Sequence, residues 1–271
     1  MKKPILTSAS KWALLSLLLT HSFHSSFAQT LISYWDFNSS PNGTALQSVP
    51  NTGTIPAPWT TLSTSEAKAD GAGNFTISGG TGNWTRKAAL ATPLTSGKYR
   101  AELNLSGWNI NSGVTGTNNL AFKVLDATSG NSMANLIFDI QSNTNVRVRY
   151  STYATSDNGI NTDVIFRNGA SYSLLQTEPV RLAIEFDFDN NTVDYLLNGT
   201  SFYTSASTTT QFWGTQAHTL SLVKAGTWGS NSTLSIDSFG LTQVPEPSSL
   251  LLVWSGLATL CIFQRRKRQN Q

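Results

Sequence analysis

The chain has 271 residues, 39% of them hydrophobic and only 12% charged, with a formal net charge of +3. The cations behind that sign stand at the two ends: residues 29–243 hold eleven basic and fourteen acidic residues, a charge near −3, so the basic balance is not a nucleic-acid surface. The same stretch has no cysteine (Cys261 is the only one in the chain) and one histidine, His218, which excludes a disulfide framework, thiol chemistry and Cys/His zinc sites.

The N-terminus opens on Lys2, Lys3 and Lys11, passes through the apolar run 12–19 and reaches Ser26-Phe27-Ala28. That triplet sets small residues at the two positions a signal peptidase reads. The run is too short to cross a bilayer comfortably. Residues 1–28 therefore read as a secretory signal cleaved after Ala28, with signal peptidase as the partner and an exported body behind it.

In residues 29–243 the apolar period is two rather than 3.6 almost throughout, and no amphipathic helix of useful length is found. Leu31-Ile32-Ser33-Tyr34-Trp35-Asp36-Phe37 is a first strand. Residues 38–72, with Pro41, Pro50, Pro56 and Pro58, read as a long loop that covers a sheet or contains short edge strands. Further strands are predicted at 73–78, 84–91, 98–107, 119–126, 134–141, 145–152, 162–167, 171–176, 180–188, 192–198, 201–204, 218–224 and 232–241. Turn signals separate them, among them Ser-Gly at 96–97 and Asn-Gly at 158–159, 168–169 and 198–199.

The clearest unit is 180–203. Val180, Leu182, Ile184, Phe186 and Phe188 alternate with Arg181, Ala183, Glu185 and Asp187, and an Asp189-Asn190-Asn191 turn leads into Thr192-Val193-Asp194-Tyr195-Leu196-Leu197. Many short strands at this spacing predict one all-β domain, a two-sheet antiparallel β-sandwich over residues 29–243. With the first strand Tyr34-Trp35-Asp36-Phe37 and the closing strand Leu234-Ser235-Ile236-Asp237-Ser238-Phe239, the pattern resembles the concanavalin A-like (laminin-G-like) jelly roll. That resemblance implies first and last strands lying close together.

Three groups of residues point to chemistry. Glu185, Asp187 and Asp189 stand at i, i+2 and i+4, which a strand presents on one face. Retaining glycosidases use two carboxyls about 5–5.5 Å apart, so Glu185 and Asp187 are the catalytic candidates. The plainer reading is a solvated outer face running into a hairpin. The pattern is similar to the Glu-x-Asp-x-Glu motif of lichenase-type β-glucanases and departs from it at Asp189. Asp36 and Asp237 lie in the first and last strands. If those strands pair, the two carboxylates and nearby carbonyls would hold a structural calcium ion, which takes six to eight oxygens; otherwise they cap turns. Trp108, Trp213 and Trp228 sit beside Gly and Asn in predicted loops. There they would stack on sugar rings while amides bond the hydroxyls, or else bury themselves against a sheet edge.

The C-terminus reads Val244-Pro245-Glu246-Pro247-Ser248, then an apolar run, then Arg265-Arg266-Lys267-Arg268. Pro245 and Pro247 bound the outer end of a predicted transmembrane helix at 248–263, at the low end of the roughly 17–25 residues a span needs. The four cations hold the far end in the cytoplasm. Break, helix and basic end together resemble the PEP-CTERM sorting signal of bacterial envelope proteins, over residues 244–271. The resemblance implies handling by exosortase, a membrane protease-transpeptidase, and an association with exopolysaccharide. It implies a stay in the inner membrane and then the cell surface or extracellular matrix. It implies nothing about what the body does. The expected body is a non-catalytic carbohydrate-associated module that meets extracellular polysaccharide. A jelly-roll glycoside hydrolase using Glu185 and Asp187, and a purely structural surface protein, are the alternatives.

Overall fold

The computed structural model describes residues 30–55, 57–59, 67–80, 83–110, 118–126, 132–142, 145–154, 178–206, 216–226 and 228–245. These form β1 (Thr30–Asp36), a 3-10 turn (Leu46–Ser48), β2 (Asn51–Thr52), β3 (Ala67–Ala69), β4 (Phe75–Gly80), β5 (Trp84–Leu94) and β6 (Lys98–Asn109). They continue with β7 (Asn118–Asp126), β8 (Ser132–Ser142), β9 (Asn145–Ala154), β10 (Val180–Asp187), β11 (Thr192–Leu197), β12 (Thr200–Ala206), β13 (Ala217–Ala225) and β14 (Trp228–Gln243).

The fold is all-β, with two antiparallel sheets. Sheet A runs β12-β11-β10-β6-β14-β1-β2, with β4 also on β14 and β3 on β4; sheet B runs β5-β13-β7-β8-β9. The long loop expected at 38–72 carries the 3-10 turn and the short strands β2 and β3. The strands predicted at 162–167 and 171–176 lie outside the described residues, as do the signal 1–28, the helix 248–263 and the basic end 265–268. Among the described residues no helix is long and apolar enough to cross a membrane.

β14 is the spine of sheet A. Along one side it pairs first with β4, from Trp228 opposite Gly80 to Ile236 opposite Phe75, and then with β1, from Ser238 opposite Asp36 to Gln243 opposite Thr30. Its other side is taken by β6. A bulge at Asp237 and Ser238 keeps the apolar residues inside: the extra residue resets the alternation, so Ile236 before it and Phe239 after it both bury in the core. The first and last strands are thus hydrogen-bonded neighbours, as the resemblance implies.

Local chemistry sets the hairpins. β11 and β12 meet across Asn198 and Gly199, both with positive φ (51° and 81°). This is the geometry a two-residue hairpin needs, and Asn-Gly reaches it at least cost. The β10–β11 hairpin has the predicted inward row, with Val180, Leu182, Ile184 and Phe186 buried between the sheets.

The core lies between the two sheets and is aromatic. Trp35 packs 4.9 Å from Trp59 and 5.3 Å from Phe239, and Phe122 from sheet B meets Phe239 edge-on at 5.3 Å. Each such side chain contributes about 1.5–3 kcal/mol by leaving water. At one margin Tyr150 of β9 stacks on Tyr203 of β12 at 4.0 Å, joining sheet to sheet.

Candidate functional site

The predicted catalytic pair is occupied with structural work. Glu185 stands opposite Arg100 in the β10–β6 ladder. Its Oε2 lies 2.7 Å from Lys98 Nζ, and its Oε1 accepts from Arg100 Nε at 2.7 Å and also from Nη2. Burial opposes its ionisation. The hydrogen bonds and charges of Lys98 and Arg100 outweigh that and hold the carboxyl below its ordinary range. Asp187 spends Oδ1 on the backbone N–H groups of Asp189 (3.0 Å) and Asn190 (2.9 Å), and Oδ2 on the Asn190 amide (2.8 Å). Asp189 accepts from Gly97 N–H at 3.1 Å. These carboxylates tie β10 to β6 and close a turn, and the shared face follows from the period of two alone.

The aromatic expectation is corrected for two of its three members. Trp108 is 4% exposed and packs edge-on against Phe138 at 5.4 Å. A bulge in β6 sends it inward: Leu105 opposes Ile236 but Gly107 opposes Ser235, so the alternation flips before Trp108. Trp228 is 1% exposed, begins β14 and donates Nε1–H to Ala225 O at 3.1 Å. Glycine beside a tryptophan marks strand irregularity in both places, not an open loop. Trp213 lies outside the described residues.

Asp36 and Asp237 flank one bonded pair, since Asp36 is in register with Ser238. Asp36 Oδ1 accepts from Asn38 N–H at 2.7 Å, and Asp237 Oδ2 accepts from the Ser238 hydroxyl at 3.1 Å. Among the described residues no three His, Cys, Asp or Glu side chains converge as metal ligands would. Val244 follows β14, its N–H bonding Lys98 O at 2.9 Å, and Pro245 comes next; Glu246 and Pro247 lie outside the described residues.

A different surface emerges from the register of sheet B. Its inner residues, such as Leu120, Phe122, Leu136, Phe138 and Leu222, belong to the core. The alternate residues face the other way in rows. One row places Lys87, Ser221, Lys123 and Asn135 side by side on β5, β13, β7 and β8. The next places Val223, Ala121, Ile137 and Arg149 together on β13, β7, β8 and β9. The third places Asn119, Asp139 and Arg147 together. An apolar strip of Ala121, Ile137 and Val223, packed as a cluster of its own, thus runs between two polar rows. Five strands at about 4.8 Å spacing make the face about 19 Å across, the reach of a short oligomer rather than a lone ion.

The middle of this face is closed to solvent: Lys123, Asn135 and Ser221 are each 0% exposed, while Lys87 and Arg147 at its margins are partly exposed. Buried polar atoms are nearly always bonded. Here Asn119 Oδ1, Asn135 Oδ1 and Nδ2, Ser221 Oγ and Arg149 Nε have no hydrogen-bond partner. Elsewhere among the described residues only Ser40 Oγ, Trp59 Nε1 and Trp108 Nε1 share that condition. Asp139 binds Arg147 through Oδ2, with Nε at 2.8 Å and Nη2 also in contact. Arg149 reaches the same oxygen only at 3.8 Å. Burial pulls the Arg149 guanidinium below its ordinary range, Asp139 opposes that, and Arg147 adds to it.

Sequence reasoning misses this face because Asn119, Lys123, Asn135, Asp139, Arg147 and Arg149 look like the wet side of three amphipathic strands. The available signal is their kind. Amides, which cannot neutralise themselves by titration, recur at alternate positions beside lone charges in a domain with little charge.

No protein-family model and no curated protein matches the chain. Solved structures do resemble it. One, described with endo-acting O-glycanases by which prominent members of the human gut microbiota initiate mucin breakdown, is 10% identical over 80% of this chain and 100% of that one, with a TM-score of 0.53. Winged bean acidic lectin, complexed with methyl-α-D-galactose, is 12% identical over 79% of this chain and 99% of its own, with a TM-score of 0.47. The potassium-bound carbohydrate recognition domain of Emp46p is 14% identical over 76% and 97%, with a TM-score of 0.45. The first likeness shows the fold, a jelly-roll-like sandwich of two antiparallel sheets.

Proposed function

We propose that the chain is an exported envelope or matrix protein whose body binds carbohydrate, without cleaving it, on the outer face of sheet B. The observation that supports this is the set of buried, unpaired polar atoms on Asn119, Asn135 and Ser221, arranged around the strip Ala121, Ile137 and Val223. A sugar hydroxyl both donates and accepts, and a sugar ring has an apolar C–H face. The amide of Asn135 offers a donor and an acceptor, Asn119 Oδ1 an acceptor and Ser221 either, while the strip takes the ring. Leaving such atoms unpaired costs about 1–3 kcal/mol each, and a ligand that pairs them recovers it. Because the face is closed, a glycan reaches it only when it opens, so association is slow for a surface lectin.

The body belongs, on this reading, to the concanavalin A-like group of jelly rolls. The ends supply the address: signal peptidase removes 1–28 after Ala28, and exosortase acts on the tail at Pro245-Glu246-Pro247, with 248–263 in the inner membrane. The test is retention of the detergent-solubilised full chain on immobilised polysaccharides, with released sugar measured in the same wells. Retention without release, weakened about tenfold or more by Asn135→Ala, supports the reading. Sugar release, or retention that Asn135→Ala leaves intact, contradicts it.

A further inference from the structure

We infer that Tyr150 and Tyr203 form a site of oxidative cross-linking, at which a one-electron oxidant joins the two rings by a carbon–carbon bond and so ties sheet A to sheet B. The site lies at a margin of the sandwich, away from the outer face of sheet B, and is independent of what the body binds.

Residues 29–243 hold no cysteine, so no disulfide joins the two sheets. β12 is the last strand of sheet A and β9 the last of sheet B. A terminal strand is held by a ladder on one side only. Tyrosines span the two. Tyr150 of β9 and Tyr203 of β12 stack with ring centroids 4.0 Å apart and planes 24° from parallel. That is van der Waals contact, with no room for another group between the rings. Tyr195 of β11 completes the cluster, 4.7 Å from Tyr150 and 6.3 Å from Tyr203.

Exposure assigns the roles. Tyr203 is 38% exposed and meets oxidants from the solvent, whereas Tyr150 is 3% exposed and Tyr195 0%. Loss of an electron and a proton from the Tyr203 hydroxyl gives a phenoxyl radical, whose unpaired electron is shared with the ring carbons ortho to the oxygen. A second such oxidation, passed across the stack, does the same at Tyr150. The two ortho carbons then bond, and the hydrogen on each moves to its oxygen as the rings regain aromaticity. With a peroxidase drawing on hydrogen peroxide, two tyrosines and one peroxide give one cross-linked pair and two waters. Both hydroxyls survive, and the chain loses two hydrogen atoms. Short-lived radicals couple efficiently only where the reacting atoms already touch, and the stack supplies that contact. Tyr150 and Tyr203 stand far apart in the chain, so the bond closes a long loop and withdraws freedom from the unfolded state, as a disulfide does.

The test treats the full chain in detergent with a haem peroxidase and hydrogen peroxide. The expected product migrates as a monomer, weighs two hydrogens less than the untreated chain, shows dityrosine fluorescence and yields a linked peptide pair containing Tyr150 and Tyr203. Its Tm rises by about 5–15 °C. Tyr203→Phe and Tyr150→Phe each abolish the link while keeping a ring in the stack, and Tyr195→Phe leaves it in place. Thermal unfolding of each untreated variant checks that it is folded; if Tyr150→Phe is not, Tyr203→Phe and the peptide map decide. A link that joins Tyr203 to another tyrosine, or two copies of the chain to each other, overturns the assignment. So does the absence of dityrosine under conditions that couple free tyrosine, or a yield that Tyr203→Phe leaves unchanged.

Discussion

Asn135→Leu is expected to make the protein more stable and unable to bind. The side chain has no solvent exposure, and neither Oδ1 nor Nδ2 has a partner. Its removal therefore orphans no other group, and leucine keeps the shape of the amide without its desolvation cost. A buried unsatisfied polar group costs about 1–3 kcal/mol, so the gain is expected in that range. For a domain of this size each kcal/mol moves Tm by about 2–4 °C, giving a rise of about 2–12 °C. Asn135→Ala is the wrong probe for stability, because it leaves a cavity whose cost masks the effect. The assay is reversible urea unfolding followed by tryptophan fluorescence at neutral pH, with an unchanged m-value as the check on comparable unfolding. A lower midpoint for Asn135→Leu would mean that the amide is paired in the native protein, and the face would lose its claim to be kept for a ligand.

Three other outcomes follow from the same structure. Glu185 is held ionised below its ordinary range, so its contribution is present above its unfolded pKa near 4.5 and lost as pH falls through the lower folded value; Glu185→Gln should flatten urea midpoints between neutral and acid pH, cost about 1–3 kcal/mol at pH 7 and leave glycan retention unchanged. Trp108→Ala should destabilise by about 3–5 kcal/mol, read by urea unfolding, because the ring fills the core against Phe138; a stable variant with lost binding would restore the sugar-platform idea. Replacing Pro245, Glu246 and Pro247 together with Ala should keep the body in the membrane fraction of its host, whereas unchanged release would argue against the sorting tail.

Strands and turns are legible in this sequence because they are local. The alternation at 180–188 and the Asn-Gly pair at 198–199 fix their hairpins with neighbours close in the chain. Partners distant in sequence are not legible: nothing in 217–225 says that β13 inserts between β5 and β7. Bulges are the second blind spot. One residue at Ser106–Gly107 reverses the face of Trp108, and no periodicity argument registers it. The third is burial of a polar face. Lys123 and Asn135 have the same pattern whether water or protein lies over them, and only the fold shows their exposure to be nil. The carboxylates at 185 and 187 mislead for a related reason, because a strand face aligns charges whether they serve chemistry or the ladder beside them.

The most direct test of the central claim is the affinity of the full chain for the polysaccharide that best retains it in the proposed screen, compared with Asn135→Leu and Glu185→Gln in one titration series. The account predicts a loss of at least about tenfold for Asn135→Leu, in a protein that unfolds at higher urea than wild type, and no change for Glu185→Gln. Undiminished affinity in Asn135→Leu would contradict it and place the binding surface away from sheet B.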